Sequence, residues 1–97
     1  MFGYKIVKAS GESMSPTILN GAYLIVKHQP HYSIDDVIHV RHTHYGNMVK
    51  RIVSGDPHKG FYVAGDNASS LSIEQIGLIN GAQIFGKVSV IINPSIK

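Results

Sequence analysis

The sequence contains no cysteine and no tryptophan. Without cysteine the chain has no disulfide, no thiolate metal site and no cysteine nucleophile. It also lacks a run of roughly 18 apolar residues, the length that a helix needs to cross a bilayer, so we expect no membrane segment or anchor. Residues 1–10 carry two lysines and a short apolar stretch, which is not the pattern of a secretion signal. We therefore expect a soluble protein, and the missing cysteines favour the cytoplasm.

Charge is also sparse, because charged residues make up 15% of the 97-residue chain and the formal net charge is +3. The basic residues are spread thinly, and Lys50–Arg51 is the one place where two of them are adjacent. Nucleic-acid-binding proteins concentrate such charge on one element, so we expect no nucleic-acid partner. A hydrophobic fraction of 43% is typical of a packed globular chain, and the length predicts one domain over residues 1–97.

Short runs of β-branched and aromatic residues, which favour β-strands, are the main structural signal. Glycine, proline and asparagine punctuate the chain between them. Gly46-Asn47 predicts a hairpin that pairs residues 39–43 with residues 48–53. The pattern predicts a mostly β domain with strands at 23–27, 37–42, 48–53, 61–64 and 84–92.

Outside the strands the local signals are weaker. Residues 15–19 predict one turn of helix, with Ser15 as N-cap and Pro16 in the first helical position. Residues 33–36 predict a turn leading into the next strand. Residues 93–97 predict a frayed tail.

Ser13 is the first candidate for chemistry, in the segment GESMSPT at residues 11–17. A serine before a helical turn can expose its hydroxyl while nearby backbone N–H groups point at a developing oxyanion, which acyl transfer requires. The same pattern also fits an ordinary Gly/Ser/Pro loop, because serine before a helix is common. A serine hydroxyl also needs a base to take its proton.

Two kinds of side chain could be that base. Histidine is the usual one, but none of the six histidines lies in a known triad context such as Gly-x-Ser-x-Gly. Lys50 alternates with Met48 and Ile52 in an apolar run, and burial on an apolar face lowers the pKa of a lysine amine. A lysine on a strand can instead reach solvent past its neighbours.

Two further groups have weaker signals. Gly65-Asp66-Asn67 follows a predicted strand and is typical of a tight turn that positions the strands around it. Ser70, just beyond it, could form a hydrogen bond with a nearby amine. His42 and His44 alternate on one strand face and could share a metal, but no third ligand stands at a defined spacing. We therefore expect no metal and no cofactor.

Five motifs follow one another in a fixed order between residues 11 and 88. They are SMxPTI at 13–18, GxxxxV at 21–26, VKRIV at 49–53, YVxGDN at 62–67 and GKV at 86–88. In this order they resemble the type I signal peptidase family, over about four fifths of the chain. The resemblance implies a β-rich serine protease domain, of signal-peptidase or LexA-like form, that uses a Ser–Lys dyad.

The resemblance also implies roles for individual residues. Ser13 would be the nucleophile, with its backbone N–H in the oxyanion hole, and neutral Lys50 would be the general base. Met14 would lie beside the substrate cleft, and Gly11 takes a place where some members carry a hydroxyl donor. Ser70 would orient the lysine. Supporting positions would be Gly65, Asp66 and Asn67.

This chain departs from the family after the GDN motif, where Ser72 and Glu74 replace a structural Asp and Arg. The departure favours an alternative, a catalytically impaired module that binds peptides. Without an anchor or a large inserted β domain, the chain is most similar to the maturation proteases of nickel-type superoxide dismutase. LexA-type repressors share the Ser–Lys chemistry but carry a DNA-binding domain.

The function expected from the sequence is thus a soluble, cytoplasmic serine endopeptidase. Its partner would be a precursor protein, the precursor of nickel superoxide dismutase being the specific case, from which it removes an N-terminal leader. A further alternative is a signal peptidase catalytic core that acts on exported preproteins.

Overall fold

The computed structural model describes residues 3–95, which form six β-strands, one short α-helix and one 3₁₀ turn. Within these residues no helix is long and apolar enough to cross a membrane. The helix α1 is Ile73–Ile76 and the 3₁₀ turn is Gly81–Gln83. The strands are β1 (Tyr4–Lys8), β2 (Tyr23–Lys27), β3 (Val37–His42), β4 (Gly46–Asp56), β5 (Gly60–Ala64) and β6 (Ile84–Ile92).

The strands form one six-stranded antiparallel sheet in the order β1-β2-β6-β3-β4-β5. The predicted mostly β fold is therefore confirmed. Strands β2, β3 and β6 have the predicted bounds, whereas β4 and β5 begin earlier than predicted. The β3–β4 hairpin is confirmed, but its turn lies at residues 43–45, because Gly46 already pairs with His42 as the first residue of β4.

The two faces of the sheet carry separate cores. Because side chains alternate along β3, Ile38 and Val40 point to one face and Val37 to the other. The first face is covered by α1 and the residues after it, and the second by the segment that contains Ser13. The first core consists of Ile38, Val40, Ile52, Phe61, Val63, Ile76, Ile79 and Ile84. The second consists of Met14, Ile18, Ala22, Leu24, Val26, Val37 and Val88.

The helix predicted over residues 15–19 is wrong, since residues 13–17 form hydrogen-bonded turns. The segment forms one helical hydrogen bond, from the Ile18 N–H to the Met14 carbonyl at 2.9 Å, but the N–H of Leu19 bonds to distant Asn93 and not to the Ser15 carbonyl. The Thr17 carbonyl accepts from Asn93 Nδ2 at 3.2 Å, and Asn93 Oδ1 accepts from the N–H of Leu19 at 2.9 Å. The frayed tail predicted over residues 93–97 is therefore wrong at Asn93, while residues 96–97 lie outside the described residues.

Candidate active site

A cleft of about 500 Å³ opens between β1, the segment after it and β4. Strand β1 is at one edge of the sheet, and β4 is four positions away in strand order. Its wall includes both residues of the predicted dyad, Ser13 and Lys50, together with Met14 and Gly11. The structure thus brings the nucleophile and base predicted from the sequence into one cavity.

Lys50 lies among apolar side chains. In the β3–β4 pair it stands directly opposite Ile38, and side chains opposite each other in an antiparallel pair share a face. Ile38 and Ile52 on that face are fully buried, and Lys50 itself is 3% exposed. Burial lowers the pKa of the Lys50 amine below its ordinary value of 10.5. The amine is therefore biased towards the neutral form that can accept a proton.

Gly65 fixes the position of Ser13. A Cβ on Gly65 would overlap the Ser13 carbonyl oxygen and the Ser70 hydroxyl, so the serine segment packs directly against the glycine backbone. The N–H of Asn67 donates to the same Ser13 carbonyl at 2.9 Å. The Gly-Asp-Asn turn therefore anchors the backbone of the candidate nucleophile, which explains why a glycine is needed there.

The same glycine connects Ser13 with Lys50. Arg51 pairs with Ala64 in the β4–β5 ladder, so the next residues along the two strands are Lys50 and Gly65. The packing of Ser13 on Gly65 therefore places the serine segment beside the backbone of Lys50, just beyond the end of β5. Across residues 3–95 no hydrogen bond is recorded from the Lys50 amine to Ser13 or to Ser70.

Asp66 links three of the sequence motifs. Its Oδ2 accepts a hydrogen bond from Thr17 Oγ1 at 2.6 Å, and its two oxygens accept from Arg51 Nε at 2.9 Å and Nη2 at 2.8 Å. The Arg51 hydrogen bond, helped by Thr17, lowers the pKa of Asp66, so this carboxylate stays ionised. This bidentate pair fixes Arg51, the neighbour of Lys50, against the segment that carries Ser13.

Ser70 and Asn67 complete the turn. Ser70 Oγ donates to the Asn67 carbonyl at 2.7 Å, and the Asn67 side chain accepts from Ser69 Oγ at 2.8 Å. The Ser70 hydroxyl proton is thus used within the turn, and the hydrogen bond from Lys50 to Ser70 that the resemblance implies is not formed among the described residues. Gly65, Asp66, Asn67 and Ser70 thus all contribute to the support of Ser13 or Arg51.

Met14 and Gly11 lie on the serine side of the cleft. Met14 is buried in the second core and lines the cavity. Gly11 adopts a φ of 83°, which favours glycine, and its N–H donates to Asn20 Oδ1 at 2.9 Å. It therefore shapes the turn before Ser13 without supplying a side chain.

The departures at Ser72 and Glu74 concern the helix α1. Ser72 is its N-cap, with a capping box to Gln75, and Glu74 is exposed in the first turn. An ion pair does lie beside Lys50, because its neighbour Arg51 pairs with Asp66. The two departures therefore leave the support of the serine segment intact.

The ring of His42, one of the two histidines considered as metal ligands, is used within the fold. Nε2 of His42 donates to the Ile76 carbonyl at 2.7 Å, and Nδ1 accepts from the N–H of His44 at 3.0 Å. Nδ1 also lies 3.2 Å from the N–H of Tyr45. Both ring nitrogens of His42 are thus used within the fold, which assigns it a structural role.

His39 is the cleft residue that sequence reasoning missed. It stands in β3, is 4% exposed and lines the cavity, and its Nδ1 is a buried polar atom without a partner in the described structure. Burial, with a smaller contribution from the charge of Lys5, lowers the pKa of His39 from 6.5 to about 4. The available signal was a single polar residue in the otherwise apolar run VIHV.

The sequence model of the family described as Peptidase S24-like matches residues 3–89. The chain belongs to this family. The matched range contains all five motifs and every residue of the cleft described above. Membership supports a signal-peptidase- or LexA-like protease and, in general, a serine-peptidase-like hydrolase. No curated protein matches the chain.

Gly65 gives a direct test of how this S24-like peptidase positions its serine. In Gly65→Ala the new methyl group must displace the Ser13 carbonyl or Ser70, so we expect a loss of about 1–3 kcal/mol in the free energy of unfolding. Turnover should also fall under conditions where the variant is fully folded, because small displacements of reacting groups cost large factors in rate. Chemical denaturation and a peptidase assay measure the two effects.

Gly81→Ala is the matched control, because a Cβ at Gly81 meets no atom within 4 Å. We expect its unfolding free energy to stay within about 0.5 kcal/mol of the parent and its activity to be unchanged. Equal behaviour of the two alanine variants would contradict the close packing at Gly65.

His39 in the S24-like peptidase predicts a pH-dependent stability. Its pKa is lower in the folded chain than in the unfolded chain, so the unfolded chain binds the extra proton and stability falls as the pH drops. With values of about 4 and 6.5, the loss from pH 7.5 to pH 5 is about 2 kcal/mol. Chemical denaturation measures the free energy of unfolding at each pH. His39→Leu should not show this loss between pH 7.5 and pH 5, whereas His31→Leu, at an exposed site, should show it.

Proposed function

We propose that this S24-like chain is a serine endopeptidase in which Ser13 is the nucleophile and Lys50 the general base. The observation that supports this most strongly is a lysine amine buried among apolar side chains in the same cleft as Ser13. A buried lysine is costly unless its charge is relieved, and a neutral amine is what a serine nucleophile needs. The packing of Ser13 against Gly65, next to Lys50, adds a geometric reason.

The reaction then proceeds in two halves. Ser13 Oγ attacks the carbonyl carbon of the scissile peptide bond as the Lys50 amine takes the hydroxyl proton. The oxyanion is stabilised by the backbone N–H of Ser13, and the Lys50 ammonium gives its proton to the departing amine. Water then attacks the acyl-enzyme while Lys50 accepts a proton from it, and Lys50 returns this proton to Ser13 Oγ as the acid product leaves.

The substrate in this proposal is a precursor protein with an N-terminal leader. Strand β1 lies at the sheet edge and lines the cleft, and an edge strand can pair with an extended peptide. The narrower proposal, a nickel superoxide dismutase precursor processed in the cytoplasm, is supported only by the sequence: by the compact form of the chain beside the family motifs, and by the absence of cysteine.

The experiment mixes the purified chain with a nickel superoxide dismutase precursor and measures the intact mass of the product. Loss of the leader from the N-terminus is the expected result, and Ser13→Ala serves as the inactive reference. A parallel reaction contains an exported preprotein. If that preprotein is cut and the dismutase precursor is not, the result contradicts the dismutase proposal and favours the signal peptidase alternative.

A peptide-binding module is the second candidate function. The observation that favours it is that no hydrogen bond is recorded between the Lys50 amine and Ser13 in the described part of the chain. A binder would form a stable complex with the precursor and release no product. Size-exclusion chromatography of the mixture, followed by mass measurement of the peptide in the complex, separates a binder from an enzyme.

A further inference from the structure

Two side chains that line the cleft, Lys5 and His39, both contact the ring of Phe85, which does not itself line the cleft. The ammonium of Lys5, on β1, lies 4.1 Å from the centre of the Phe85 ring. The Phe85 ring in turn lies 4.8 Å from the His39 ring, tilted by 36°. Lys5 and His39 both line the cavity, so β1 and β3 each contribute one polar group to this part of the wall.

The surroundings of His39 select its tautomer. Nδ1 is enclosed and has no partner, whereas Nε2 is not among the enclosed, unpartnered atoms. A buried N–H without an acceptor is rarer in proteins than an unsatisfied lone pair, so the proton of the neutral ring belongs on Nε2. With the proton on Nε2, that nitrogen is the hydrogen-bond donor of the His39 ring.

The charge of the cleft has one sign. Of the described residues that line it, the ionisable ones are Lys5, Lys8, His39 and Lys50, and none is a carboxylate. Lys8 pairs with Tyr23 across the strands and its ammonium lies 5.7 Å from that ring, while Lys50 is reserved for the proposed chemistry. Lys5 is thus the lysine of the cleft that the Phe85 ring joins to His39.

We propose that His39 and Lys5 form a substrate subsite for a side chain that ends in a carboxylate, so that the cleft selects a peptide with Asp or Glu at one position near the cut. The carboxylate accepts a hydrogen bond from His39 Nε2–H and is attracted by the Lys5 ammonium. The inference rests on the proposed peptidase function, because it identifies a specificity-determining site in the same cleft as Ser13.

Hydrogen bonds to charged groups and a nearby opposite charge set the expected size of the preference. Such a bond contributes about 1.5–3 kcal/mol, which corresponds to about 10- to 150-fold in kcat/KM. An amide side chain, which keeps the acceptor but not the charge, should give an intermediate rate. A lysine at that position of the peptide should be disfavoured, since it would meet Lys5.

The test begins with a mixture of synthetic 14-residue peptides of diverse sequence, digested by the wild-type chain and read by mass spectrometry. The mixture shows which position near the cut is richest in Asp or Glu among the cleaved peptides. The best-cleaved peptide is then remade with Asp, Asn, Ala or Lys at that position, and kcat/KM is measured for each. We expect the Asp peptide to exceed the Ala peptide about tenfold or more. In His39→Leu and in Lys5→Met this ratio should fall towards one, while the Ala peptide is still cut.

Two design choices keep the test decisive. Lys5 is exposed, so Lys5→Met preserves the fold even if His39→Leu does not, and His31→Leu is the matched control that should retain the ratio. A wild-type chain that shows no acidic preference, or a preference that survives both Lys5→Met and His39→Leu, overturns the proposal.

Failure of the proposed function gives a different result. If no peptide in the mixture is cleaved, the subsite is tested by adding N-acetyl-aspartate N-methylamide to chain labelled with ¹⁵N in its histidines. A shift of the His39 Nε2 signal that is absent in Lys5→Met supports the subsite even in a non-catalytic protein. Unchanged His39 signals up to tens of millimolar probe overturn it.

Discussion

Ser13→Ala is expected to abolish turnover while leaving the fold intact. Removing the hydroxyl takes away the atom that attacks the peptide carbonyl, and loss of a serine nucleophile costs on the order of 10⁴-fold or more in kcat. The Ser13 side chain makes none of the hydrogen bonds recorded for residues 3–95, where the segment is fixed through its backbone carbonyl. The unfolding midpoint should therefore stay within a few degrees of the parent.

Ser10→Ala is the matched control for this variant, because Ser10 lines the same cleft, is exposed and has no proposed role. It should keep the parent rate. Initial rates of precursor cleavage and thermal unfolding are measured for both variants. Parent-like processing by Ser13→Ala would show that another group carries out the attack.

Lys50→Met is expected to reduce turnover as strongly as Ser13→Ala does. Unlike most substitutions in a core, it should not reduce the free energy of unfolding. Methionine keeps much of the apolar stem and removes the amine, so Ser13 loses its base and kcat should fall by roughly four orders of magnitude. Because a buried amine is costly, the variant should be as stable as the parent or more stable. Activity and chemical denaturation, measured together, distinguish a lost base from a damaged fold.

The pH dependence provides a second readout for Lys50. Only the neutral amine accepts the serine proton, so kcat/KM should rise with pH through the pKa of Lys50, which burial places below 10.5. Lys8→Met, which changes an exposed lysine of the cleft, should preserve both the rate and the profile. A flat profile from pH 6 to pH 10, or full activity in Lys50→Met, would exclude this lysine as the base.

Much of the sheet could be predicted because its strands are short apolar runs bounded by turn residues. Strands 23–27, 37–42 and 84–92 match the structure in their bounds. Strand β1 was missed because its residues are almost all exposed and two lysines interrupt the apolar pattern. Helix α1 was missed although Ser72 and Gln75 form a capping box, because four residues are too few for a helical period.

The candidate site was predictable as a set of motifs and not as a set of contacts. Alternation along β4 placed Lys50 with Met48 and Ile52, and the pairing with Ile38 agrees with that placement. The link from Asp66 to Thr17 and Arg51 spans up to 49 positions in the chain, and nothing in a single sequence reveals such a pair. Local patterns of residues report periodicity and turns, whereas long-range hydrogen bonds depend on the folded sheet.

The environment of His39 is another feature of the site that the sequence alone could not predict. Its position in an apolar strand favours burial, but the missing partner of Nδ1 and the contact with Phe85 depend on β6 lying beside β3. The pairing of β3 with β6 joins parts of the chain that are far apart in sequence. The polar group in the cleft wall could therefore be found only in the structure.

A covalent intermediate is the most direct test of the proposed chemistry. The chain is mixed with a peptide that it cleaves, quenched in acid within milliseconds to seconds, digested and mapped by mass spectrometry. We predict that the N-terminal part of the substrate is attached through an ester to Ser13 Oγ, and that Lys50→Met forms no such adduct. An adduct at another residue, or an equal yield from the Lys50→Met variant, would contradict the Ser–Lys dyad.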